Sequence, residues 1–130
     1  MSLPVLVDRV FLGSVTVTRD LIAPQLVTEE ITDPGNAGAI PVTSSGSCML
    51  TTTGAETRTI AIPTFVGQRL NIGFDTDGGN VVITVAQAVN QAGNTVLTGA
   101  DAGDHVSLEA ITVGGALRWR ILANDGFALS

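Results

Sequence analysis

Apolar and polar residues alternate in run after run of this chain. In Thr57–Ile62, Ile60 and Ile62 fall on one side, and in Arg69–Phe74 the apolar side is Leu70, Ile72 and Phe74. Val81, Ile83 and Val85 repeat the pattern in Asn80–Val85, as do Val106, Leu108 and Ala110 in His105–Ala110. The last such run, Leu117–Ala123, places Leu117, Trp119, Ile121 and Ala123 together. Side chains two apart share one face of a strand, so each set predicts a strand with one face toward a common core. Ser47-Cys48-Met49-Leu50 predicts another short strand.

Turn formers separate these runs. Glycines recur from Gly46 to Gly126 between short stretches rich in Thr, Val and Ile, a rhythm typical of all-β domains. Asp75-Thr76-Asp77-Gly78-Gly79-Asn80 predicts a hairpin between the strands ending at Phe74 and starting at Val81. Gly114-Gly115 predicts a second, between Val113 and Ala116, because paired glycines supply the positive φ of a tight turn. The one helix-tolerant stretch, Val85–Ala92, reads as a strand end leading into a loop.

The first part of the chain has a different rhythm. Val5–Val7, Val10–Leu12 and Ser14–Thr18 look extended, whereas Leu21-Ile22-Ala23-Pro24-Gln25-Leu26-Val27 is apolar but interrupted by a proline that a central strand rejects. The turn-rich run Thr32–Gly38 marks a boundary. The predicted fold is therefore all-β: a compact antiparallel sandwich, barrel or prism-like body over residues 37–130, preceded by an N-terminal arm or extension over residues 1–36. Leu21, Ile22 and Leu26 are candidates for packing on a neighbouring subunit.

Composition sharpens this picture. At 130 residues the chain has the length of one domain, with 45% hydrophobic and only 14% charged residues. A surface so poor in charge suits either a Thr- and Ser-rich exterior or one covered by another protein. The net charge is −6, and all six basic residues are scattered arginines, so no basic stripe is available for phosphates or anionic lipid. Neither nucleic acid nor a membrane is expected as a partner. The N-terminus has no basic segment followed by a long apolar one, so it does not read as a signal peptide, and assembly in a cytoplasm is expected.

Candidate chemistry is sparse. Cys48 is the only cysteine and His105 the only histidine, and nothing in the sequence links them as a nucleophile and base. Asp75-Thr76-Asp77-Gly78-Gly79 resembles the start of a calcium loop, but the twelfth position is Ala86 and not an acid. Asp101 and Asp104 sit close enough in sequence to suggest a hydrolytic carboxylate pair, although turn-making is the ordinary role of such residues. Glu29-Glu30 reads as a solvated pair. No catalytic, cofactor-binding or metal-binding residue is expected. In Arg118-Trp119-Arg120, an inward Trp119 puts both arginines on the opposite face, where Arg118 and Arg120 are candidates for an interface with a neighbouring subunit or another protein.

From about Gly46 onward the chain resembles small all-β structural proteins of tailed bacteriophages. The resemblance is carried by Thr57–Pro63, Gly67–Ile72, Asn80–Val85, Asp104–Ala110 and Leu117–Gly126: a strand ending in proline, a glycine-led strand, a Thr/Val strand and a final hairpin with a tryptophan. It implies a virion structural protein on the capsid surface, most simply a capsid decoration (cement) protein. Such a protein acts as a homotrimer that binds the major capsid protein and steadies the head shell without a cofactor. Two other readings remain open. One is a fibre-tip or carbohydrate-binding module, although the chain has no Tyr and one Trp for sugar stacking. The other is a small hydrolase using Asp101 and Asp104.

Overall fold

The computed structural model describes residues 28–90 and 92–130 of the chain. Residues 1–27 of the expected arm, with Leu21, Ile22 and Leu26, lie outside the described residues. Among the described residues every regular element is a strand. One mixed sheet has the order β1 (Glu29–Ile31), β3 (Gly46–Thr51), β5 (Arg69–Thr76), β8 (His105–Val113) and β9 (Ala116–Asp125). The other has the order β10 (Ala128–Leu129), β7 (Val96–Gly99), β6 (Val81–Val85), β4 (Glu56–Ile60) and β2 (Gly38–Ile40). Glu29–Ile31 precedes the boundary drawn from the turn-rich run, yet it pairs with β3 of the body.

The sheets are mixed, which corrects the antiparallel expectation. From β1 to β6 the chain changes sheet at every connection. A chain that crosses to the opposite sheet and returns is travelling in its original direction. The pairs β1–β3, β3–β5, β2–β4 and β4–β6 are therefore parallel. Among the described strands hairpins appear only after β6, and the pairs β6–β7, β5–β8, β8–β9 and β7–β10 are antiparallel. Side-chain alternation has the same period in both kinds of ladder, so it carries no information on direction.

The expected hairpin at Asp75–Asn80 is the clearest casualty. It is an arch from β5 in one sheet to β6 in the other. Its glycines serve close approach: a Cβ at Gly78 would meet the backbone of Thr52 and Thr53. Thr52 Oγ1 accepts from Gly78 N at 3.0 Å and donates to Gly79 O at 2.7 Å, binding this arch to the β3–β4 connection. Gly114-Gly115, with φ values of 58° and 80°, does join β8 to β9 as a tight hairpin.

One apolar cluster draws on both sheets. Cys48, Leu50, Leu70, Ile72, Phe74, Val106, Leu108 and Trp119 come from the first, and Ile40, Ile60, Val81, Ile83, Val85 and Leu97 from the second. Two positions depart from the alternation. Ile62 is 48% exposed because β4 ends at Ile60, and the inward place two residues before Ile60 belongs to Arg58. Ala123 is exposed because a bulge between Ser107 and Leu108 shifts the β8–β9 register, so that Ala123 lies opposite Ser107.

Candidate interaction surface

Arg118 and Arg120 flank Trp119 on β9. Trp119 is 1% exposed, so the arginines project from the outer face of the first sheet, as the triplet implied. Arg120 lies opposite Glu109 of β8, and Glu109 lies opposite Arg69 of β5. Arg69 Nη2 approaches Glu109 Oε1 at 3.6 Å, a loose pair with both side chains in contact with solvent. Arg118 faces Ile111, and its Nε is shielded with no hydrogen-bond partner among the described residues. Arg58 is internal and Arg9 and Arg19 lie outside the described residues, so all the surface cations described here belong to this one region.

Beside the arginines stands the β4–β5 connection, residues 61–68. Ile62 (48%), Phe65 (46%) and Val66 (65%) expose large apolar side chains. Their backbone is nevertheless pinned from several directions. Trp119 Nε1 donates to Ala61 O at 2.8 Å, and Gly67 N donates to Ala110 O at 2.9 Å. The fully buried Gln68 is the principal brace. Its Nε2 donates to Val42 O at 2.7 Å and Ser44 O at 3.2 Å, and its Oε1 accepts from Thr64 N at 2.8 Å. A buried amide with its groups satisfied fixes one loop conformation, because leaving any of them unpaired costs about 1–3 kcal/mol. The apolar side chains are thus held out toward solvent by a rigid support.

At the opposite end of the strands lies an ionic cluster that the sequence reading missed. The side chain of Arg58 is wholly buried and bidentate on Asp33, with Nε–Oδ1 at 2.7 Å and Nη2–Oδ2 at 3.1 Å. Its Nη2 also meets Glu56 Oε2 at 2.9 Å, and Nη1 donates to Thr57 O at 2.9 Å. Asp33 in turn accepts from Gly35 N and Thr51 N, each at 3.0 Å. Burial acts to raise the Asp33 carboxyl, but the Arg58 bond and the two backbone donors outweigh it and hold it below the usual carboxylate range. The bond to Asp33 does the most to hold Arg58 in its charged form. A signal was present: Arg58 shares the alternation phase of Ile60, and an in-phase arginine demands a buried carboxylate partner.

The other candidate residues are dispersed. Cys48 is buried among apolar neighbours, which pushes its thiol up to about 11, and the nearby Asp33 charge adds to this. His105 sits on the outer face of β8, opposite Gly73 and Asp125, whereas Cys48 faces the core. Asp77 Oδ1 accepts from Gly79 N at 2.8 Å within its turn, and Asp75 Oδ2 accepts from Thr76 Oγ1 at 3.2 Å. Asp104 Oδ2 accepts from Ala100 N at 2.9 Å and Asp101 N at 3.2 Å, so this carboxylate shapes its own loop. Among the described residues no three His, Cys, Asp or Glu side chains converge, and no pocket opens. Trp119, the single tryptophan, is spent on the core and on Ala61. No known family model and no curated protein matches the chain.

Proposed function

We propose that the protein is a structural component of a phage virion, a capsid decoration protein that binds the head shell as a homo-oligomer and acts through surface contact alone. The body is then a two-sheet sandwich whose task is to hold one loop in place. The observation that carries this reading is the β4–β5 connection, with Ile62, Phe65 and Val66 exposed on a backbone braced by Gln68, Thr64 and Trp119. Covering such side chains removes apolar surface from water, at roughly 25 cal/mol per Å². A braced loop gives up little conformational freedom when it docks. Many equivalent copies on one shell add avidity to a modest individual contact.

The test is co-sedimentation of the purified protein with head shells of the phage that encodes it, together with immunogold labelling of intact particles. The wild type is expected to pellet with shells, and Phe65→Asp is expected to stay in the supernatant with an unchanged far-ultraviolet circular dichroism spectrum. Absence of the protein from purified particles, or shell binding that is indifferent to Phe65→Asp, defeats the proposal.

A further inference from the structure

The outer face of the first sheet is organised in rows across the strands. A middle row runs through Ser47, Asn71, Ser107 and Ala123. Its polar groups bond to one another: Ser107 Oγ donates to Asn71 Oδ1 at 2.7 Å, and Asn71 Nδ2 donates to Ser47 Oγ at 3.4 Å. Small residues whose polar groups are already partnered can be covered at low desolvation cost. Two residues along β5 and β8 in one direction, and three along the bulged β9, comes the row Arg69, Glu109 and Arg120. Two residues in the other direction comes the row Met49, Gly73, His105 and Asp125. Met49 is 51% exposed, and no described element covers this face.

These rows are complementary under one operation. A two-fold axis lying along the middle row stacks β9 on β9 and β8 on β8 with strand directions reversed. That brings Arg120 of one copy over Asp125 of the other, and Glu109 over His105, each pairing occurring twice. The middle rows meet each other, and Met49 finds the aliphatic stem of Arg69. We propose that this face is a self-complementary interface between two copies of the chain, packed sheet to sheet in an aligned arrangement. The inference rests on the homo-oligomeric reading above and specifies one contact within it. It leaves the apolar loop free for the shell.

Sedimentation velocity of the full chain across a concentration series tests this contact. The wild type is expected to dimerise, more tightly at low salt than at high salt. Arg120→Glu and Asp125→Arg each place like charges opposite one another twice and are expected to weaken the dimer at least about tenfold, given the coupling energies of close interfacial charge pairs. The double variant Arg120→Glu/Asp125→Arg restores opposite charges and should recover the dimer. Circular dichroism confirms that each variant is folded. A monomeric wild type, an oligomer indifferent to Arg120→Glu, or failure of the folded double variant to recover overturns this interface. A monomeric wild type also removes the homo-oligomeric part of the function proposed above, whereas the two variant results bear on this interface alone, and shell binding through Phe65 is read independently of all three.

Discussion

Replacing Asp33 by alanine removes the principal partner of a guanidinium that has no access to water. Arg58 then keeps Glu56 at 2.9 Å and the Thr57 carbonyl but loses its bidentate contact, while Thr51 N and Gly35 N lose their acceptor. Breaking a buried pair from one side costs about 3–5 kcal/mol. The surviving Glu56 contact and the 16% exposure of the Asp33 side chain place this case at the lower end, about 3 kcal/mol. For a domain of this size that corresponds to a fall in Tm of roughly 10–15 °C. Urea unfolding is the assay, with the midpoint shifting and the slope unchanged. Acid adds a second readout. Folding holds the Asp33 carboxyl below its unfolded value, so its contribution is complete above the unfolded pKa of about 4. It is lost as pH falls through the lower, folded value. Asp33→Asn should therefore flatten the dependence of stability on pH below about 4. A loss under about 0.5 kcal/mol in Asp33→Ala, or an unchanged acid slope in Asp33→Asn, refutes the reasoning.

Two further outcomes follow from the interior. Cys48, buried and raised to about 11, should resist a thiol reagent at neutral pH in the native protein and react fully once urea unfolds it; rapid labelling of the folded chain contradicts its placement. Gln68→Leu keeps approximate volume but abandons Val42 O, Ser44 O and Thr64 N, so a loss of about 2–3 kcal/mol is expected, with faster hydrogen exchange at Thr64 and Gly67; unchanged exchange there shows that Gln68 is no brace.

Most strands were legible because burial on one face imposes a period of two, and Leu70–Ile72–Phe74 or Val81–Ile83–Val85 shows that period without interruption. Strand direction and sheet membership were not, because they depend on where each connection goes. The Gly78-Gly79 pair suits a hairpin and an arch equally well, and only the backbone of Thr52 and Thr53 pressed against it distinguishes them. Arg118 and Arg120 were legible through Trp119, whose size all but demands the core. The apolar loop was not: Ile62 continues the alternation of Ile60, and its exposure follows from β4 ending at Ile60. Asp33 was hidden inside a run of turn formers, where an aspartate is ordinary, although its partner is more than twenty positions away.

The alternation of the early strands between sheets has a consequence for how the chain comes together. Until β6, no strand has its sequence neighbour as a hydrogen-bonding partner: β1 waits for β3, and β2 waits for β4. Local pairing begins only with the β6–β7 and β8–β9 hairpins. Each early strand is therefore separated from its partner by a strand of the other sheet, and the C-terminal hairpins are where loop closure costs least. Folding should start there and wind backward, with the Asp33–Arg58 clasp closing last.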